Sequence, residues 1–187
     1  MPSYFDAVPK PEKVEKLEDL APVIELYHHM VRAGNLDEAC DLFYDRISKP
    51  TYYQFGAYQL QIELLRALFL DGEDKPPRLK KEGDQAWTLN GLANTYSLSG
   101  QPRRAVPLFE MQNALREKAG DKKHLAIGLG NVATQQLVIG ALSEAERNLR
   151  RSIDLCREIE DEFWEAVGHQ DWVRCAYRGE LGRSRKG

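Results

Sequence analysis

The chain has 187 residues, a length that fits one domain or one continuous helical array. Its formal net charge is −3, and 29% of its residues are charged. So small a net charge argues against a general polyanion binder, and no apolar run reaches the roughly 18 residues that a membrane span needs. The N-terminus lacks the apolar core of a signal peptide. Three cysteines, Cys40, Cys156 and Cys175, form no CxxC pair, which predicts buried thiols in a reduced, cytoplasmic protein.

The first part of the chain predicts a helical hairpin over residues 21–50, preceded by an extended arm and a short helix over residues 1–20. A glycine, Gly34, ends the first helix of the hairpin because glycine adopts the left-handed conformation without strain. Asn35 is expected to cap the second helix, which runs to about Ser48. The proline that follows Lys49 is expected to break that helix.

Residues 51–81 are the irregular part of the sequence. Tyrosines crowd its start, and the helix predicted after them is apolar on more than one face, as in helices that are buried on two sides. Residues 71–81 contain an Asp-Gly pair, a Pro-Pro pair and mixed charges, which together predict a loop. The sequence leaves open whether this segment is a degenerate repeat or a cap.

From residue 82 onwards the sequence repeats with a period of forty residues. The recurring residues are Ala86, Ala126 and Ala166; Gly100 and Gly140; Ala105 and Ala145; Leu115 and Leu155; Asp121 and Asp161. Such a period is typical of stacked-repeat architectures. Helices are predicted near residues 82–99, 102–118, 122–139, 142–159 and 162–178. The regular array thus covers residues 82–178, as two full repeats and the first helix of a third, and residues 179–187 form a basic tail.

One copy of the repeat shows why it predicts two antiparallel helices. Its first helix carries an apolar stripe at helical spacing, formed by Leu89, Leu92, Ala93 and Tyr96. Gly100 ends that helix, and Pro102 suits the first turn of the next, where its missing N–H is no loss. The product is an αα-hairpin.

This pattern resembles the tetratricopeptide repeat (TPR). The motif positions hold Leu89, Leu92-Ala93, Tyr96, Ala105 and Phe109; then Leu129, Val132-Ala133, Gln136, Ala145 and Leu149; and, earlier in the chain, Val23, Leu26-Tyr27, Met30, Ala39 and Phe43. The forty-residue spacing is similar to the long repeats of kinesin light chains and of the sensor arrays of bacterial STAND-type signalling NTPases. The resemblance implies an all-α fold, an α-α superhelix built as a TPR-like solenoid of antiparallel helix hairpins.

In the TPR family, the first helices of the hairpins line a concave groove that binds peptides. The resemblance therefore implies a groove for a peptide or partner protein that includes Asn90, Asn94, Asn131, Thr134, His169 and Gln170, with His28 and Arg32 at the other end. A side-chain amide offers a donor and an acceptor to a peptide bond. Gly91, Gly128 and Gly130 are expected to keep this surface open. In the alternative interpretation, the asparagines bond to the backbone of a neighbouring repeat.

No motif for catalysis, a cofactor or a metal is apparent. His28 and His29 have no HExxH context, and the chain has neither a GxxxxGK[ST] loop nor a GxSxG elbow. The pairs Arg103-Arg104 and Arg150-Arg151 both lie on second helices of the hairpins, which favours an outer, solvated face over phosphate binding.

The leading functional hypothesis is a non-enzymatic protein-interaction module. A second is a sensor or regulatory fragment of a larger bacterial signalling NTPase, because the third hairpin has only its first helix. A third is a self-associating scaffold, in which open repeat ends near Trp164, Trp172 and Val173 form a homo-oligomer. The charge balance disfavours nucleic-acid binding, and no membrane association is expected.

Overall fold

The computed structural model describes residues 14–184, with side chains up to residue 178. Within these residues the chain is helical and contains no strand. The helices are α1 (Ala21–Arg32), α2 (Leu36–Leu42), α3 (Tyr58–Arg66), α4 (Glu82–Leu98), α5 (Pro102–Lys118), α6 (Lys122–Ile139), α7 (Leu142–Glu158) and α8 (Glu162–Ser184), and a 3-10 turn at Leu17–Leu20 precedes α1. Two compact units divide between Thr88 and Leu89, within α4.

Helix α2 does not end at the predicted break. It continues through two wider π-helical turns, Phe43–Ile47 and Pro50–Gln54. Proline lacks the N–H that an α-helical ladder requires, and here the wider turn closes instead by a bond from the amide of Phe55 to the carbonyl of Pro50, at 3.0 Å. Asn35 lies at the N-cap position of α2 as predicted, but its side chain makes no capping hydrogen bond.

A polar contact from α3 supports these π-helical turns. The Gln61 side chain, which is buried, donates to the carbonyl of Ser48 at 2.9 Å and to the hydroxyl of Thr51 at 2.8 Å. The Thr51 hydroxyl in turn donates to the carbonyl of Ile47 at 2.6 Å. These bonds satisfy polar groups that would otherwise be costly to bury.

The loop predicted for residues 71–81 has no regular secondary structure, but the first unit holds it in place. Leu79 is buried, and the backbone amide of Lys80 donates to the Asp37 carboxylate at 2.8 Å. Arg78 forms a two-bond contact with Asp71, with distances of 2.6 and 3.0 Å.

In the second unit, α5 to α8 pack as sequential antiparallel neighbours, and α6 also contacts α8. The bounds of α4 to α7 agree with the predicted helices to within one residue. Gly100 and Gly140 end their helices with φ of 76° and 82°, the left-handed conformation expected of them. One buried cluster joins α6, α7 and α8 and contains Ala133, Leu137, Ala145, Leu149 and Cys175.

Two glycines allow a second helix to approach the first helix of the next hairpin. A Cβ atom on Gly168 of α8 would lie 2.8 Å from Cγ1 of Ile153 in α7, and a Cβ atom on Gly128 would collide with the side chain of Asn113. Gly128 is therefore buried at a helix–helix contact, and the prediction that it keeps the groove surface open is wrong. Gly130 faces open space.

Candidate binding surface

In the second unit, the first helix of each hairpin has partly or fully exposed positions, and these positions recur every forty residues. We define the groove positions as four sets: Asn90, Gly130 and Gln170; Gly91, Asn131 and Asp171; Asn94, Thr134 and Arg174; Leu98, Val138 and Arg178. Helices α6 and α8 are in contact, and the Arg178 guanidinium donates to the carbonyl of Leu137 at 2.8 Å. Equivalent positions on α6 and α8 are therefore adjacent, and the repeat predicts the same relation between α4 and α6.

Three of the groove positions are asparagines with polar side chains. The side chains of Asn90, Asn94 and Asn131 are partly exposed, and none has a hydrogen-bond partner within residues 14–178. Bonds to the backbone of a neighbouring repeat, the alternative interpretation of these residues, are thus absent from that part of the chain. The Thr134 hydroxyl donates to the carbonyl of Gly130 at 3.0 Å, which leaves its oxygen as an acceptor.

His169 lies apart from the groove positions. It occupies the repeat position of Leu129, which is buried in α6. Its ring contacts α7 instead, with Nε2 3.1 Å from the Arg157 guanidinium, and it is 3.5 Å from Glu165. Gln170, by contrast, is exposed at a groove position.

The face of α8 that carries His169 is exposed, whereas the same face of α6 is buried. Val173, for example, is 60% exposed, and its equivalent Ala133 is fully buried. We call this surface the open face of α8; its members are Ala166, His169, Val173 and Tyr177.

A cavity of about 510 Å³ lies along α1 in the first unit. Its walls are Leu17, Glu18, Ala21, Ile24, Glu25, His28, His29 and Arg32. In the repeat alignment, Ile24, His28 and Arg32 correspond to Asn90, Asn94 and Leu98. His28 and Arg32, which the resemblance predicted for the groove, therefore lie on a concave surface of the first unit. The Nε2 atom of His29 lies 3.8 Å from the carboxylate of Glu25.

A second cavity, of about 550 Å³, lies where the α4–α5 turn meets the last turn of α6. We call it the rim cavity, and its walls are Gly100, Gln101, Pro102, Arg103, Arg104, Val138 and Ile139. The Arg104 guanidinium lies 4.1 Å from the centre of the Tyr96 ring, in a cation–π contact. Arg103 and Arg104 thus line a concave surface, whereas the sequence predicted only that they lie on an outer, solvated face.

The cysteines are free and buried. Burial raises the pKa of Cys40 to about 11, and it also raises the pKa of Cys156 and Cys175. All three thiols are therefore protonated near neutral pH, which is unfavourable for a nucleophile. Across residues 14–178 no group of three His, Cys, Asp or Glu side chains could hold a metal ion. No helix in the described part of the chain is long and apolar enough to cross a membrane.

No protein-family model and no curated protein match the sequence. Solved structures do match. BtubC (BKLC) from P. vanneervenii has a TM-score of 0.59 at 17% identity, over 86% of this chain and 62% of that one. A point variant of a putative kinesin light chain with nearly identical TPR-like repeats, from Podosopora anserina, has a TM-score of 0.56 at 16% identity, over 93% of both chains. The chain spans less than two thirds of BtubC, and at these identities the likeness is one of fold.

Proposed function

Because the chain has the fold of a TPR-like repeat protein, we propose that it is a non-enzymatic interaction module that binds an extended segment of a partner protein. The observation that carries this proposal is the set of partly exposed amides of Asn90, Asn94 and Asn131 without partners in the described residues. They lie on successive first helices. The three buried cysteines form no disulfide bond, which supports a reduced, cytoplasmic location for this module.

The recognition chemistry follows from the amides. Each side chain donates to one peptide carbonyl and accepts from one peptide N–H, so the ligand's backbone is held without regard to its sequence. Each such bond contributes about 0.5–1.5 kcal/mol net, because water is displaced from both partners. Leu98 and Val138, which are exposed at the last groove positions of α4 and α6, add apolar contacts for ligand side chains.

A peptide-display selection against the immobilised chain tests this function, followed by anisotropy titration of the enriched peptides. The double variant Asn94→Ala/Asn131→Ala should raise their Kd about tenfold or more, as expected for the loss of several hydrogen bonds. Gln59→Ala removes an exposed amide from α3 and should leave the Kd unchanged. Failure to enrich any peptide, or equal Kd values for the double variant and the wild type, would refute binding of a peptide in the groove.

The open face of α8 favours self-association as a second candidate function. Val173 and Tyr177 are exposed there, on the same face as His169, which occupies the repeat position of the buried Leu129. Exposed apolar helix faces drive association because burial removes them from water. Light scattering over a concentration series should show a dimer that Val173→Glu/Tyr177→Glu converts to a monomer. A wild-type monomer at the highest concentration would sink this candidate.

A further inference from the structure

The rim cavity carries a positive charge that the repeat itself does not require. At the same two positions of the next hairpin, Ser143 and Glu144 replace Arg103 and Arg104. Both turns end their first helix with a left-handed glycine and begin a helix two residues later. Since an acidic residue is tolerated at this place in α7, the arginine pair of α5 is not needed for the turn.

Arg103 is also unusual among the cations of the second unit. Most lysines and arginines between residues 89 and 178 contact a carboxylate, a carbonyl or a ring, as Arg104 does with Tyr96. Within that described segment, Arg103 and Arg147 are the exceptions, and both are exposed. Of these two, Arg103 lines the rim cavity, and no acidic residue is among the walls of that cavity.

The opposite wall of the rim cavity is aliphatic. Val138 is 60% exposed, and Ile139 beside it is partly exposed. Val138 is at the same time the last groove position of α6, so the rim cavity continues the groove. A ligand that follows Asn94 and Asn131 towards the ends of their helices reaches this cavity next.

We propose that the rim cavity binds an acidic side chain and the aliphatic residue beside it, in the partner segment whose backbone lies in the groove. This inference rests on the proposed function and adds a ligand chemistry to it. The carboxylate pairs with the guanidinium of Arg103, since a charged pair at an interface contributes specificity. The aliphatic side chain packs on Val138 and Ile139.

Two pools of short synthetic peptides test the proposal. They are acetylated and amidated, random except for a central Leu-Glu pair in one and Leu-Gln in the other. The immobilised chain should retain the Leu-Glu pool about tenfold better, an effect of the size that charge complementarity gives. Arg103→Glu should abolish this preference. Arg147→Glu is the matched control, an exposed and unpaired arginine outside the cavity, and it should preserve the preference.

Several outcomes would overturn the inference. These are equal retention of the two pools, retention of neither, equal effects of Arg103→Glu and Arg147→Glu, and displacement of the peptides by a single-stranded oligonucleotide. The Asn94→Ala/Asn131→Ala variant separates the two proposals. If the wild type shows no preference for Leu-Glu and the double variant loses both pools equally, binding in the groove is supported and the role of the rim cavity is refuted. Circular dichroism of Arg103→Glu should match the wild type, because the residue is exposed.

Discussion

The side-chain amide of Asn113 in α5 fills the space that a Cβ atom would occupy on Gly128 in α6. Both residues are buried, so this contact sets how closely the second helix of one hairpin approaches the first helix of the next. The carbonyl oxygen of the Asn113 side chain has no hydrogen-bond partner among the described residues. The same repeat positions in α7 and α8 hold Ile153 and Gly168, so the close approach recurs with an apolar partner.

Gly128→Ala should therefore destabilise the fold. The added methyl group forces a buried amide to move, which costs about 1–3 kcal/mol, as overpacking of a core does. Gly130→Ala is the control, since a Cβ atom there has no neighbour within 4 Å. It should raise stability by up to about 1 kcal/mol, because alanine is the better helix former. Urea unfolding followed by circular dichroism measures both, and equal midpoints for the two variants would contradict the contact.

Replacing Glu160 by glycine should stabilise the chain. Glu160 adopts φ of 56° in the turn before α8, at the repeat position where Gly120 adopts φ of 69° before α6. The left-handed conformation costs a residue with a Cβ atom about 1–2 kcal/mol. Glu160→Gly should raise the thermal midpoint and Gly120→Ala should lower it. A lower midpoint for Glu160→Gly would show that the carboxylate makes a compensating interaction.

Tyr27→Phe should weaken the first unit. The Tyr27 hydroxyl is buried and donates to the carbonyl of Leu64 in α3 at 2.5 Å. Removing the donor leaves a buried carbonyl without this bond, at a cost of about 1–2 kcal/mol. Tyr53→Phe, on a side chain that is 80% exposed, should change the unfolding midpoint little. If both variants cost the same, the contribution of the buried bond would be refuted.

The same tyrosine predicts a loss of stability in alkaline solution. Burial raises the pKa of Tyr27 above its ordinary value, with smaller contributions from Cys40 and Tyr44. The folded state therefore favours the neutral hydroxyl, so its contribution is complete below about pH 10, the pKa in the unfolded chain, and declines as the pH rises further. Unfolding midpoints measured between neutral and alkaline pH should fall less steeply for Tyr27→Phe than for the wild type.

Asp121→Ala should destabilise the start of α6. The carboxylate accepts from the backbone amide of His124 at 3.2 Å and pairs with Arg116 at 3.1 Å. Loss of an N-cap costs about 1 kcal/mol. Asp121→Asn keeps an acceptor without the charge, so it should cost less.

The acid dependence of this cap distinguishes its charge from its hydrogen bond. Burial raises the pKa of Asp121, but the hydrogen bonds from His124 and the charge of Arg116 outweigh it and hold the pKa below its ordinary value. Its stabilisation is therefore present above about pH 3.9, the pKa in the unfolded chain, and is lost as the pH falls below it. Asp121→Asn should remove this part of the acid transition, and an unchanged transition would contradict the assignment.

The sequence alone was sufficient for the helices of the regular array and for its turns. Gly100, Gly140 and Pro102 act on the backbone of their own turn, and the apolar stripe of each helix follows from spacing. Such signals are local, so they do not depend on the partner against which a helix packs. The partial exposure of Asn90, Asn94 and Asn131 also follows from the sequence, because these residues lie outside the apolar stripe, whereas their role in a binding groove stays a prediction.

Only the tertiary structure decided which glycine is buried, where the arginine pair lies and where α2 ends. Gly128 and Gly130 are the same residue type two positions apart in α6, yet of the two only Gly128 packs against Asn113, which belongs to α5. Arg103 lines a cavity because α6 ends beside the α4–α5 turn. The helical turns beyond Ser48 persist because Gln61 reaches them from α3. Each outcome depends on contacts between residues distant in sequence, which no local pattern encodes.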